Sequence, residues 1–193
     1  CWAQTDAEKA ESLKADVLFG SGDRVKLVEA IEDALDSHER IVSVDRPFER
    51  REFEDLPAGA FSGHARAYLK IEDGCANFCT YCIIPYARGP VRSRDPGAII
   101  EEAKRLADNG VREVVLTGIH VSSYGKDLQD AALQDVLGDL QQIKGIARIR
   151  LSSLEPSLLT QEFCQTVSAL SKVCPHFHVS MQSGSDTVLK RMG

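Results

Sequence analysis

Apolar positions along this chain recur with two different periods, and the way those periods follow one another sets the expected architecture. An acidic, helix-like stretch opens the chain. The run Asp16-Val17-Leu18-Phe19-Gly20 then reads as a short strand, and Val28, Ile31 and Leu35 recur at helical spacing. Residues 1–45 therefore read as the end of an α/β unit. Residues 46–64 carry Arg46-Pro47, Arg50-Arg51, Asp55-Leu56-Pro57 and Gly59, too polar and too often broken for a core element, so a linker is expected there.

From residue 65 strand-like and helix-like segments alternate. Ala65 to Ile71 reads as a strand. Asp95-Pro96 supplies an N-cap with proline at the first helical position, Ile99, Ala103 and Leu106 mark one face, and Asn109-Gly110 supplies the stop. Val111 to Thr117 is the next strand; Leu133, Val136, Leu137 and Leu140 mark a helix that ends at Gly145. Ile146 to Leu151 is expected as a third strand, Phe163, Val167, Leu170 and Cys174 as a third helix face, and His176 to Met181 as a fourth strand. About four β/α units call for parallel strands joined by right-handed crossovers, with ligands at the carboxyl ends of the strands.

Composition narrows the function classes. The chain has 193 residues, 43% of them apolar and 27% charged, which is the make-up of a folded domain. No apolar stretch approaches the ~18 residues that a membrane span needs. Asp6, Glu8, Lys9, Glu11 and Lys14 occupy the first fifteen residues where a signal peptide would be apolar, so a soluble, cytoplasmic protein is expected. It opens at Cys1 rather than at a methionine and is read as part of something longer. Lys and Arg number 23 against 29 Asp and Glu, a net charge of -6 that argues against a basic surface over the whole protein.

Three of the six cysteines fall within the loop after the strand at 65–71, at Cys75, Cys79 and Cys82. Three thiolates spaced Cys-x3-Cys-x2-Cys can hold three irons of a [4Fe-4S] cube and leave the fourth open. Zinc would want a fourth protein ligand at suitable spacing, and none is seen. A thioredoxin-like pair would leave Cys75 unused, and buried structural thiols would sit at periodic apolar positions rather than beside Asn77.

Cys75-x3-Cys79-x-Tyr81-Cys82 resembles the signature of radical S-adenosylmethionine (SAM) enzymes, and Gly74 to Pro85 followed by Tyr86-Ala87-Arg88-Gly89 resembles the methylthiotransferase branch. Leu116 to Gly125, Arg148 to Pro156 and Gln182 to Met192 contain further blocks similar to that branch. Arg150-Leu151-Ser152-Ser153-Leu154-Glu155-Pro156 most resembles the enzymes acting on N6-threonylcarbamoyladenosine at position 37 of tRNA. The resemblance implies an α/β fold: a partial (β/α)6 barrel at 65–193, preceded at 1–45 by the end of a small N-terminal methylthiotransferase domain. It implies SAM on the open iron, a 5′-deoxyadenosyl radical, and the anticodon loop of tRNA as partner, with a flavodoxin or ferredoxin as electron donor. A second [4Fe-4S] cluster is implied as well, for which Cys1, in the setting Cys1-Trp2-Ala3-Gln4, looks like the last of three ligands.

Other candidates carry two readings each. Tyr81 either lies near the adenine of SAM or packs under the cluster. Thr117 and Gly118 end a strand where backbone can approach the SAM amino group, or simply make a turn. Ser153 and Glu155, and Gln182 and Ser183, follow strand ends and would face the cofactor; for the serines, Ser185 included, helix capping competes. Arg88, Arg92 and Arg94 lie in a stretch without an acid and are expected to grip tRNA phosphates or the SAM carboxylate, against a solvated turn. Tyr86 or Tyr124 could stack on unpaired bases. Cys164 and Cys174 are expected as small core residues, and the five histidines show no ligand spacing. Two other classes stay open: the same chemistry on isopentenyladenosine or a ribosomal-protein aspartate, and a non-catalytic zinc-binding RNA module.

Overall fold

A computed structural model of the chain describes residues 1–56 and 63–193; Pro57 and Gly59 of the expected linker lie outside the described residues. The chain opens with two short helices, α1 (Trp2–Thr5) and α2 (Ala7–Glu11). Strands β1 (Val17–Phe19) and β2 (Ile41–Ser43) pair in parallel around α3 (Leu27–Ser37). The helix forms where its periodicity places it, but its apolar stripe faces outward: Val28 is 62% exposed and Leu35 67%. Ala30 and Ala34 are the buried residues of that helix. Small side chains let the helix lie close to its two-stranded sheet, and that close face wins over the larger one among the described residues.

The expected linker is held along its described part. A short 3-10 turn covers Pro47–Glu49. Beyond it Glu54 pairs with Arg24 at 2.7 Å, Asp55 pairs with Arg94 at 2.7 Å, and Phe53 lies under Lys70 and Arg94.

Next come β3 (Arg66–Lys70), β4 (Glu72–Asp73), α4 (Ile84–Arg88), β5 (Arg92–Ser93), α5 (Pro96–Asp108), β6 (Glu113–Thr117), α6 (Leu133–Gln142), β7 (Arg148–Leu151), α7 (Gln161–Ser168) and α8 (Asp186–Met192). β3, β6 and β7 form a parallel sheet with β6 central, in a register that aligns Leu69, Leu116 and Leu151. Parallel strands need crossovers, and α5 and α6 supply them. The Asp95 carboxylate caps α5 by accepting the Ala98 N–H at 2.8 Å, and Gly110 ends it at a φ of +87°. Ile99, Ala103 and Leu106 of α5, with Val136, Leu137 and Leu140 of α6, are buried against Leu69, Leu116 and Ile149. Each such Leu or Ile contributes ~1.5–3 kcal/mol on burial, so this layer, and not the alanine-lined first unit, carries most of the stability.

Two expectations need correction. The third helix stops at Ser168 instead of running to Cys174, because Cys174 N–H donates to Ile149 O and Ile149 N–H to Lys172 O, which ties residues 172–174 to β7. Leu170 thus lies beyond the helix. The fourth strand is reduced to one bridge, Leu154 with Val179. β7 ends at Leu151, so Leu154 alone offers its N–H and C=O, to His178 O and Ser180 N–H. Three strands, not four, make the ladder among the described residues.

Candidate iron–sulfur and cofactor site

The cysteine loop leaves the sheet through β4 and returns through α4. At Gly74, with a φ of +90°, a Cβ would fall 1.9 Å from Pro90 O, so no other residue fits the start of the loop. Cys75 N–H donates to Gly89 O at 3.1 Å and Cys82 N–H to Cys79 O at 2.9 Å. Phe78, between two of the cysteines, sits in the left-handed region at a φ of +48°. Its ring stacks on Phe48 at 6.2 Å and meets Tyr86 edge-on at 5.6 Å.

Cys75, Cys79 and Cys82 are partly exposed and none is in a disulfide. Burial pushes the Cys75 thiol up, a hydrogen bond from the Asn77 amide opposes it, and negative charge at Glu72, Cys79 and Cys82 adds to the rise. The three sulfurs thus lie within electrostatic reach of one another, although no group of three or more His, Cys, Asp or Glu among the described residues is drawn into a ready-made metal site. This donor set fits an iron–sulfur cluster. Three partly exposed thiols on one loop, none in a disulfide, match thiolate ligation by iron.

Beside the loop lies a cavity of about 390 Å³ lined by Asn77, Cys79, Tyr81, Glu155, Met181 and Gln182. The fold therefore brings Cys79 together with three of the expected cofactor residues, Tyr81, Glu155 and Gln182, from three separate parts of the chain. Gln182 holds a left-handed φ of +63°. Glu155 is the hinge of the arrangement. It accepts the Asn77 side-chain N–H at 2.6 Å and the Ser157 hydroxyl at 3.1 Å, and its own N–H donates to Ser122 Oγ at 2.8 Å. His120 Nε2 lies 3.2 Å from Glu155 Oε2 but is not aligned as a hydrogen bond, while Nδ1 meets Ser123 Oγ at 2.5 Å. Asn77 and His120 were not singled out as site residues by sequence. Each looks like an ordinary loop polar residue until Glu155 is placed between them.

Thr117 ends β6 and Gly118 follows it, and neither lines that cavity. A Cβ on Gly118 would lie 2.7 Å from Glu72 Oε2, so packing alone requires the glycine. Glu72 is fully buried; its Oε2 accepts the His120 N–H at 2.6 Å and its Oε1 has no partner among the described residues. Burial pushes its carboxyl up to about 7, against the pull of that amide bond. Ser153 Oγ meets His178 Nδ1 at 2.8 Å, and Ser183 Oγ accepts the Ser185 N–H at 3.1 Å. Ser185 does occupy the N-cap position of α8, without a side-chain capping bond.

The arginine row is not presented as a surface grip. Arg92 and Arg94 are 4% and 5% exposed. Arg92 faces Asp73 and donates to Arg88 O and Pro90 O; Arg94 pairs with Glu102 and Asp55. Only Arg88 keeps partial exposure, 3.6 Å from Asp73. Burial raises the Asp73 carboxyl, but the Lys70 hydrogen bond and the charges of Lys70, Arg88 and Arg92 outweigh it and hold the group below its usual range. Acids outside the run, Asp73, Glu102 and Asp55, neutralise a stretch that looks purely basic on paper. Tyr124 is also buried, its hydroxyl donating to Arg94 O at 2.9 Å, which removes it from base stacking; Tyr86 is half exposed. Cys164 is exposed rather than a core residue, Cys174 is buried, and Cys1 is exposed at the head of α1. No helix among the described residues is long and apolar enough to cross a membrane.

Comparison with known proteins agrees with this geometry. The whole chain is 42% identical to the threonylcarbamoyladenosine tRNA methylthiotransferase MtaB of Bacillus subtilis, of which it covers 43%, and 38% identical to its namesake from Aquifex aeolicus, of which it covers 47%. The tRNA-2-methylthio-N(6)-dimethylallyladenosine synthase of Moorella thermoacetica is 42% identical over 92% of the chain, which covers 40% of that protein. The chain thus spans less than half the length of these relatives. Among solved structures, the radical SAM methyltransferase TsrM of Kitasatospora setae shares the fold at a TM-score of 0.54 and 18% identity, over 76% of this chain and 28% of that one. The sequence profile of the radical SAM superfamily matches residues 69–193, from β3 to the last residue, and the chain belongs to that superfamily.

Proposed function

We propose that this chain is part of a cytoplasmic tRNA methylthiotransferase that acts at C2 of N6-threonylcarbamoyladenosine at position 37, with residues 65–193 as its radical SAM core and 1–45 as the end of a preceding domain. The observation that carries the reading is the 42% identity with an enzyme of that name, sustained over the entire chain, cysteine loop included.

Cys75, Cys79 and Cys82 would hold a [4Fe-4S] cluster that, with SAM at its open iron and one electron from a flavodoxin or ferredoxin, supplies the 5′-deoxyadenosyl radical. The residues of the chain bind and orient. Glu155 joins the cysteine loop to the ends of β6 and β7 through Asn77 and His120, so that loop and strand ends keep one relative position. Tyr81 and Gln182 bound the cavity between them and offer a ring face and an amide to a cofactor seated there. Glu72, buried and with its carboxyl pushed up to about 7, holds the His120 amide and would carry less than a full negative charge near Cys75 at neutral pH. Cys1 would serve the second cluster, together with ligands supplied by the longer protein. Arg88 is the one member of its row still open to phosphate or to the SAM carboxylate.

A dimethylallyladenosine substrate is the second reading, favoured by equal identity to the Moorella enzyme. Nucleoside analysis of tRNA from a deletion strain separates the two. Loss of the methylthio group from threonylcarbamoyladenosine supports the first reading; loss from dimethylallyladenosine alone replaces it with the second.

A further inference from the structure

Residues 45–50 meet both the first unit and the cysteine-loop region, and one side chain takes part on both sides. The Arg50 guanidinium, 11% exposed, is bonded on four sides. Its Nε and Nη2 donate to the two Asp45 carboxylate oxygens at 2.6 and 2.5 Å, and Nη2 also to Gln4 Oε1 at 3.0 Å. Nη1 donates to Ser21 Oγ and to Arg88 O, each at 3.2 Å. Gln4 belongs to the helix that opens at Cys1, and Arg88 ends the helix that follows Cys82. Gln4 in turn donates to Asp45 O at 2.6 Å and accepts the Ser21 N–H at 2.8 Å, and Ser21 Oγ donates to Ala87 O at 2.5 Å.

Three glycines are cleared around this junction. A Cβ on Gly22 would lie 2.6 Å from Arg50 Nε, one on Gly20 2.5 Å from Gln4 Oε1, and one on Gly89 2.0 Å from Pro47 O. Next to Pro47, the Phe48 ring stacks on Phe78 of the cysteine loop at 6.2 Å. A planar donor with a fixed fork can satisfy a carboxylate, an amide, a hydroxyl and a carbonyl at once, which a lysine cannot.

We propose that Arg50 is a positioning residue that fixes the Cys1 end of the first unit against the helix following the cysteine loop, so that the sulfur at position 1 and those at 75, 79 and 82 keep one separation. Only the purpose of that separation, two clusters serving one reaction, rests on the methylthiotransferase reading.

The test uses the chain as it stands. Hydrogen exchange is followed at residues 17–22 and 84–89 in the parent, Arg50→Ala, Arg50→Lys and Gln4→Ala. Arg50→Ala is expected to speed both segments roughly tenfold relative to β6, Arg50→Lys to recover only part of that, and Gln4→Ala to loosen 17–22 alone. Trp2, the only tryptophan, then reports the separation: its emission lifetime is compared with and without iron and sulfide reconstituted on the loop. Quenching by the reconstituted cluster is expected to weaken and spread in Arg50→Ala at unchanged iron content. Unchanged exchange in both segments together with unchanged quenching overturns the proposal. If Arg50→Ala unfolds, Gln4→Ala decides, and an unaltered 17–22 segment in that variant overturns it. Failure to take up iron would strike the cluster assignment instead and leave the exchange measurement to decide.

Discussion

At the amino ends of β3, β6 and β7 the Glu113 carboxylate receives Arg66 at 2.8 Å, Arg148 at 3.1 Å and Arg150 at 3.2 Å, so every oxygen faces a cation. Burial pushes that carboxyl up, and hydrogen bonds from Arg148, Arg150 and Arg66 outweigh it and hold the group below its usual range. At the opposite ends of the same strands Asp73 is likewise paired, with Lys70, Arg88 and Arg92, but two other carboxylates are left incompletely satisfied. Among the described residues Glu72 Oε1 is buried without a partner, and Glu155 holds an asparagine, a serine and a misaligned histidine but no arginine or lysine. One end of the sheet is charge-balanced and closed; the other keeps groups in reserve beside a cavity. In parallel α/β sheets that asymmetry separates the end that stabilises from the end that binds.

The comparison can be broken by removing charges from each class. Arg94, paired with buried Glu102, belongs to the closed class although it lies near the cysteine loop. Arg94→Ala should lower unfolding stability by about 3–5 kcal/mol, because a buried ion pair loses one member. Denaturant titration checks this; a loss under about 1 kcal/mol, with a changed salt dependence of tRNA binding, would return Arg94 to the phosphate-gripping class. Glu113→Ala should cost less, about 1–3 kcal/mol, since its arginines stay partly solvated, and should leave iron uptake unchanged.

Glu72→Gln sharpens the contrast through pH. The native state holds a proton on Glu72 up to about 7, against an ordinary value of 4.5, so it binds more protons than the unfolded chain across that window. Stability contributed by this group therefore falls as pH rises from 4.5 to about 7, and the penalty is complete above it. Relative to the parent, the glutamine variant should gain about 3 kcal/mol at pH 8 and almost nothing at pH 4.5. Thermal unfolding at the two pH values measures it, and a gain equal at both would contradict the buried-acid account. The smallest stability effect is expected for Glu155→Ala, below about 1 kcal/mol, since that residue is partly exposed. Its consequence should appear in SAM binding by the iron-loaded protein, weakened about tenfold by isothermal titration.

Much of this was legible in the sequence, for identifiable reasons. Strands β3, β6 and β7 and helices α5 and α6 carry clean periodicity and explicit caps such as Asp95-Pro96 and Gly110, and they stand close to where pattern places them. The cysteine spacing points to a candidate site because three thiols on one loop can be read without tertiary information. What pattern could not show depends on long-range partners. Arg92 and Arg94 look exposed because Asp73, Glu102 and Asp55 are not their neighbours in sequence. The outward face of α3 follows from how close alanines let it approach β1 and β2, which periodicity does not encode. The fourth strand fails because its neighbour ends early, and Asn77 and His120 gain meaning only from Glu155.

The central claim is that Cys75, Cys79 and Cys82 hold three corners of a [4Fe-4S] cluster and leave the fourth for SAM. Electron paramagnetic resonance of the anaerobically reconstituted and reduced chain, with and without SAM, tests it directly. The account predicts a reduced-cluster signal that changes line shape when SAM is added and is lost when all three cysteines are replaced by alanine. A protein that takes up zinc and no iron, or a signal that survives the triple replacement, would contradict it.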